Sequence, residues 1–155
     1  MSEPQTPRRV ESVIELVQLV ELSEFRCYRL MGERVTASDE REETQSLSIL
    51  AGGDETHVEC RVRMELGTEN ANLEADIGAV YTLPEPVEMT AAVVAEFIER
   101  VGLMAVFPFL REAVFTTASR MGVPPPVVGI LRAGDAKVEF DENTAWPPRQ
   151  GQSAE

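Results

Sequence analysis

The alternation of apolar and polar residues in two neighbouring segments constrains the fold of this chain more than any other feature. In "HVECRVRMEL" every second residue is apolar, namely Val58, Cys60, Val62, Met64 and Leu66. After the turn "GTENAN" the alternation resumes with Leu73, Ala75, Ile77, Ala79 and Tyr81. Successive side chains of a strand point to opposite faces of a sheet, so each segment predicts a strand with one buried face. The short turn between them predicts an antiparallel hairpin.

Two more strands are predicted before this hairpin. The apolar residues from Val10 fit either a helix or an alternating strand, and we interpret them as a short helix that leads into a strand from about Val20 to Val35. The segment "QSLSIL" predicts another short strand, which Gly52 and Gly53 are expected to end. The chain therefore supplies four candidate strands in succession.

Helical spacing replaces the alternation after "LPEPVEM". Thr90 is a plausible N-cap for "AAVVAEFIERVG", and Gly102 is expected to end this helix. Pro108 is expected in the first turn of a second helix, which Gly122 and the following prolines terminate. Strands followed by helices predict an α+β fold, with a four-stranded antiparallel sheet followed by two helices, one of them long.

The chain divides into three parts by composition. Residues 1–9 are polar and contain two prolines, which predicts a flexible N-terminal arm. Residues 10–131 form the predicted domain. Residues 132–155 are polar, acidic and proline-containing, with a single tryptophan, and we expect them to be a disordered acidic tail.

The net charge excludes one large class of partners. With 14 basic and 27 acidic residues the chain carries −13, whereas nucleic-acid binding requires a basic face. No stretch reaches the roughly 18 apolar residues that span a bilayer, and the N-terminus lacks the apolar core of a signal peptide. We therefore expect no nucleic acid, no direct membrane insertion and a cytoplasmic location. The acidic surface instead favours partners with basic segments.

Residues that could perform catalysis or bind a metal are scarce. His57 is the single histidine, and it has no neighbouring cysteines or paired carboxylates with which to hold a metal. Cys27 and Cys60 occupy apolar positions of alternating strands, which is typical of small buried side chains. No phosphate loop or nucleotide fingerprint is present. The sequence predicts no cofactor, no metal and no enzymatic activity.

The second helix is apolar over more than one face. Phe107, Phe109 and Phe115 point in different directions around it, and a helix that is apolar on two faces requires two partners. One partner is the sheet of the same chain. The other is either a second subunit or the remainder of an ordinary core, and the pattern does not separate these two interpretations.

The segment "FPFLREAVFTTASRMGVPPP" resembles the helix of SecB-type chaperones. In that family an aromatic–Pro–aromatic run is followed by Arg-Glu, which here is Phe107, Pro108, Phe109, Arg111 and Glu112. "LEADIGAVY" is similar to the last strand of the family, and the resemblance covers roughly residues 17 to 131. It implies an ATP-independent holdase for unfolded polypeptides, assembled as a homotetramer, a dimer of dimers. The interface residues that it implies are Phe107, Phe109, Ala113 and Phe115.

Client-binding residues follow from the same resemblance, which places the groove on the first and last strands. They are Phe25, Tyr28, Leu73, Ala75 and Ile77. Alternation does not say which face of a sheet is covered, so each of these residues is alternatively part of the sheet core. The family also implies docking on the SecA translocase motor through acidic residues, here Glu24 and Glu74.

The C-terminal region departs from the export members of the family. They carry a further apolar helix, whereas this chain ends in a Trp-Pro tail similar to that of SecB-like chaperones that accompany toxin–antitoxin pairs. The client is therefore either unfolded preproteins or an unstable antitoxin, and docking on SecA is in question. The rival hypotheses are an α+β interaction module that binds one folded partner, and a small enzyme or ligand carrier.

Overall fold

The computed structural model describes residue 3, residues 6–36, residues 41–129 and the backbone of residues 145–146. The described chain begins with a short strand and a short helix, β1 (Arg8–Val10) and α1 (Val13–Leu19). Four long strands follow, namely β2 (Glu21–Arg34), β3 (Thr44–Asp54), β4 (His57–Gly67) and β5 (Ala71–Thr82). These bounds confirm the short helix, the first strand and the hairpin that the sequence predicts.

The four long strands form one antiparallel sheet in the order β2-β5-β4-β3. Strands β3 and β4 pair without interruption from Thr44 opposite Gly67 to Asp54 opposite His57. The expectation that Gly52 and Gly53 end β3 was therefore wrong. Gly53 instead adopts a φ of 133° beside the turn to β4, a conformation that an L side chain rarely takes.

The remaining elements belong to the C-terminal half of the described chain. They are β6 (Val87–Thr90), α2 (Ala91–Phe97), a π-helical turn (Ile98–Gly102), α3 (Leu103–Arg120) and β7 (Ala145–Trp146). The α2 helix, the π turn and α3 form one continuous helix of 30 residues, which we call the long helix. Thr90 caps it as predicted, because its hydroxyl accepts a hydrogen bond from the Val93 amide at 3.3 Å.

Gly102 does not end a helix, and Pro108 does not begin one. Both lie inside the long helix, and Gly102 has helical φ and ψ of −60° and −50°. A Cβ atom at Gly102 would lie 2.7 Å from the Cβ of Cys60, so the glycine allows the helix to approach β4 closely. Packing against the sheet outweighs the helix-breaking tendency of both residues, because most helical stability in proteins comes from the buried face. Gly122 ends the helix as predicted, with a φ of 70°.

A second, smaller sheet joins both ends of the described chain. Strand β6 pairs with β1 in parallel and with β7 in antiparallel orientation. Arg8 and Arg9, which we expected to belong to a flexible arm, are therefore hydrogen-bonded strand residues. Ala145 and Trp146 likewise form a strand, while the rest of the predicted tail lies outside the described residues.

One face of the large sheet, which we call the inner face, carries the core. The apolar set of the hairpin packs there against the long helix, and Tyr81 meets Phe97 edge-on with ring centroids 4.9 Å apart. The α+β fold with its four-stranded antiparallel sheet and two helices is thus confirmed, although the short helix precedes the sheet. No helix within the described ranges combines the length and apolarity needed to cross a bilayer.

Candidate functional site

Three of the predicted client-binding residues lie on the inner face of the large sheet. Leu73, Ala75 and Ile77 are buried beneath the long helix as part of the core. Their strand β5 is central in the sheet, so the helix covers it while leaving the outer strands more open. These three side chains offer no surface to a partner, and the alternative interpretation of them as sheet core is the one that the structure supports.

Edge strand β2 is where the inner face becomes accessible. Three of its apolar residues lie opposite inner-facing residues of β5: Leu22 opposite Tyr81, Phe25 opposite Ala79, and Leu30 opposite Ala75. Leu30 is 52% exposed. Phe109 on α3 is 46% exposed and stacks on Phe25, with ring centroids 4.2 Å apart. We call Leu22, Phe25 and Leu30 of β2 the apolar strip.

The four predicted interface residues divide into two pairs. Phe107 and Ala113 are buried in the core of the chain, at 6% and 8% exposure, so they offer little surface to a second subunit. Phe109 and Phe115 both keep exposed surface on α3, at 46% and 55%. Because Phe109 touches Phe25, the predicted client site and the predicted interface meet at one contact, which the sequence pattern did not indicate.

Tyr28 lies on the opposite, outer face of the sheet. It falls within a β-bulge, where the register of β2 against β5 shifts between Cys27 and Arg29. Its hydroxyl donates a hydrogen bond to the Glu59 carboxylate, which raises the pKa of Tyr28. The guanidinium of Arg61 lies 3.9 Å from the centre of its ring. Tyr28 is therefore held in a polar network and is separate from the apolar strip.

The centre of that network is Asp76 on β5. It is 1% exposed, yet Arg61 donates two hydrogen bonds to its carboxylate, each of 2.8 Å. Arg63 adds two more hydrogen bonds of 3.3 Å. The hydrogen bonds from Arg61 are the main reason that the pKa of Asp76 lies below its usual value. The alternating arginines of β4 are visible in the sequence. That Asp76 is their buried partner became evident only from the pairing of β4 with β5.

The two acidic residues with an implied role in translocase docking differ in access. Glu24 pairs with Arg26 at 2.9 Å, and its side chain is still 49% exposed. The Glu74 side chain is only 10% exposed and pairs with Arg29 at 3.3 Å and with Arg63 at 3.4 Å. The two residues therefore do not form one accessible acidic patch.

Nucleophile or metal chemistry has little support in the described part of the chain. Burial raises the pKa of the Cys60 thiol to about 12, which makes it a poor nucleophile. His57 contacts Asp54 and Thr56 in the hairpin turn, at 3.1 and 2.9 Å. Across the described ranges no three His, Cys, Asp or Glu side chains are grouped to hold a metal ion.

No protein-family model matches this chain, but known proteins similar to it include two SecB-like chaperones. The SecB-like chaperone SmegB of Mycolicibacterium smegmatis is 35% identical over 135 residues, which cover 87% of this chain and 91% of SmegB. The Rv1957 SecB-like chaperone of Mycobacterium tuberculosis, solved in complex with a ChAD peptide from the Rv1956 HigA1 antitoxin, has a TM-score of 0.64. It is 17% identical, and the match covers 77% of this chain and 92% of that one.

Proposed function

Because this chain belongs to the SecB-like chaperone family, we propose that it is a holdase that keeps an unstable antitoxin in a soluble, non-native state without using ATP. The proposal includes no covalent chemistry and no cofactor. A general client range, including unfolded preproteins, follows from the same surface, because apolar contacts do not depend on one sequence. The antitoxin is the preferred client because the M. tuberculosis chaperone of the same fold binds an antitoxin peptide.

The observation that carries the proposal is the apolar strip. Non-native chains expose apolar segments that otherwise aggregate. A surface that covers such segments gains about 25 cal/mol for each Å² removed from water. Leu22 and Leu30 are 46% and 52% exposed, so this edge strand presents apolar side chains to solvent.

The net charge supports a basic client. A chain of −13 attracts basic segments over distances longer than direct contacts. The attraction speeds the encounter, and the apolar strip then supplies the contact energy. This division of roles suits a client that is still unfolded, because it requires no preformed surface on the partner.

We also propose a homotetramer, assembled as a dimer of dimers through the exposed phenylalanines of α3. Phe109 and Phe115 supply the apolar contacts, and four copies of −13 give −52, which keeps tetramers apart from one another. Docking on the SecA motor is not part of the proposal, since Glu74 is already paired and almost covered.

The test is the aggregation of guanidinium-unfolded citrate synthase, diluted into buffer with and without the chain and without ATP. We expect light scattering to be suppressed at about one tetramer per client. Leu30→Asp should weaken the suppression because it places a charge in the apolar strip. Ile14→Asp is the matched control, since Ile14 is an apolar residue of α1 outside the strip and is 69% exposed, more than Leu30.

A second step addresses the client class. Purified antitoxin peptide of the type bound by the M. tuberculosis chaperone should compete with citrate synthase for the chain. If the chain fails to suppress aggregation at any excess, the holdase proposal is wrong, and a module that binds one folded partner becomes the better hypothesis. If both variants behave alike, the strip is not the client-binding surface.

A further inference from the structure

The apolar strip and the proposed subunit interface share one contact. Phe25 belongs to the strip on β2, and Phe109 is an exposed phenylalanine of α3 that we assign to the interface. Their ring centroids lie 4.2 Å apart, and the two ring planes are tilted by 33°. Phe25 is partly buried, while Phe109 is 46% exposed. Two surfaces with separate tasks therefore meet at a single exposed aromatic ring.

We propose that a client on the apolar strip and a second subunit on α3 compete for the exposed side of Phe109, so that client binding and tetramer assembly weaken each other. The inference rests on the proposed holdase function and on the proposed homotetramer, and it specifies how the two are linked. Apolar surface contributes binding free energy when it is removed from water, and the same surface can be removed only once. A ring that a subunit covers is thus no longer available to a client.

A client that contacts Phe25 also comes within reach of Phe109. Apolar side chains are in contact when their heavy atoms approach within about 4.5 Å, and the two stacked rings are closer together than the width of a client side chain. Phe25 is packed against the core and leaves less of its own surface open than Phe109 does. The half-exposed ring of Phe109 is therefore the larger part of what this contact offers to a client.

Other residues of the two surfaces lie away from the shared ring. Leu22 of the strip is paired with Tyr81, whose ring meets Phe97 at 4.9 Å. Phe97 precedes Phe109 along the long helix by a stretch of roughly 18 Å. Phe115 of the interface follows Phe109 by less than two helical turns and points about 120° away from it around the axis. The competition is therefore partial, and a tetramer still binds a client with reduced affinity.

Thermodynamic linkage makes the competition measurable from two sides. If assembly lowers the affinity for a client by some factor, the client lowers the association constant of dimers into tetramers by the same factor. Coupling between two sites of a protein typically amounts to about 5-fold to 150-fold. Because only one half-exposed ring is shared, we expect a factor of about ten. Dilution, which favours dimers, should therefore raise the affinity for a client.

The test uses the full chain and, as the client, reduced and carboxamidomethylated lysozyme, a basic protein that stays unfolded in buffer. The dissociation constant of this client is measured at a chain concentration where dimers predominate, and again where tetramers predominate. We expect the client to bind about tenfold more weakly to the tetramer. Sedimentation velocity with and without the client should show the dimer–tetramer association constant reduced by the same factor.

Two phenylalanine variants separate competition for one ring from a general loss of assembly. Phe109→Ala should weaken assembly and should also weaken client binding to the dimer, because the shared ring is removed. Phe115→Ala is the matched control, because Phe115 is likewise an exposed phenylalanine of α3. Its loss should weaken assembly and leave the dissociation constant of the client for the dimer unchanged. Equal effects of the two variants on that dissociation constant would overturn the inference.

The failure of this inference is distinguishable from failure of the proposals on which it rests. If the client binds and tetramers form, but neither equilibrium changes the other, the competition is refuted while the holdase and the tetramer remain. A client that strengthens assembly would refute it as well. If the client does not bind and aggregation is not suppressed, the holdase proposal fails, and if no tetramer forms at any concentration, the tetramer proposal fails. Either of these results refutes the competition too.

Discussion

Strands β2 and β3 are the two edges of one sheet, yet they present different chemistry. Strand β2 is interrupted by two register shifts and carries six charged residues, namely Glu21, Glu24, Arg26, Arg29, Glu33 and Arg34. Strand β3 is regular and uncharged between its ends. Strand β2 therefore presents apolar and charged side chains, whereas β3 presents a regular edge without charges between its ends.

The largest effect is expected from Phe109→Asp, which alters the β2 side. The substitution places a charge beside Phe25, at a half-exposed position of α3 where we propose subunit contacts. We expect tetramers to separate into dimers, as measured by light scattering. Val127→Asp, an exposed apolar residue near the start of β3, should leave the assembly unchanged. An unchanged tetramer in Phe109→Asp would argue against the proposed interface.

The next largest effect is expected at the hydrogen-bonded cluster of Asp76, Arg61 and Arg63. Asp76→Asn removes a charge that accepts hydrogen bonds from Arg61 and Arg63. Because the Arg61 side chain is partly exposed, we expect a loss of about 2 kcal/mol in unfolding free energy rather than the larger cost of a fully buried pair. On β3, Ser48→Asn should change that free energy by less than about 0.5 kcal/mol. Urea denaturation of both variants measures the difference.

The lowered pKa of Asp76 predicts that the unfolding free energy depends on pH. The pKa of folded Asp76 is lowered by the hydrogen bonds from Arg61, below the value of about 3.9 in the unfolded chain. Its stabilising contribution is therefore complete above that unfolded value and is lost as the pH falls toward the folded pKa. Stability measured from pH 6 to about pH 3 should fall more steeply for the parent chain than for Asp76→Asn. Parallel curves would show that another group dominates.

The smallest effect is expected from a pair of glycine substitutions, one on each edge. A Cβ atom at Gly32 on β2 would lie 2.6 Å from both Met121 Sδ and Thr117 Cγ2, so Gly32→Val should cost about 1 to 2 kcal/mol. A Cβ at Gly52 on β3 meets nothing within 4 Å. Gly52→Val should therefore be neutral or stabilise by about 0.5 kcal/mol. Equal thermal stability of the two variants would contradict the difference between the edges.

The sheet could be predicted from the sequence, but the helix boundaries could not. Alternation on β4 and β5 identified the hairpin because side chains of period two leave only one arrangement with a buried face. A helix end at Gly102 and a helix start at Pro108 were predicted because glycine and proline both favour a break in a helix. Contact with Cys60 and the rest of the sheet keeps the helix continuous.

The candidate site was predicted only in part, for a related reason. Phe25 was predicted as a client-binding residue and Phe109 as an interface residue on a separate surface, whereas their rings stack on each other in the structure. Leu73, Ala75 and Ile77 share the pattern of a groove strand and are buried because their strand is central. The position of a strand within the sheet is a long-range property, which no local pattern contains.

The sequence by itself determined the α+β class, the central hairpin, the acidic charge and the resemblance to SecB-type chaperones. These depend on residue types and on spacing along the chain, which the sequence states directly. Only the tertiary structure decided which face of the sheet is covered, which strands lie at its edges, and which phenylalanines remain exposed. Those properties arise when residues far apart in the chain compete for the same buried area, and the long helix covers β5 and β4 more fully than β2.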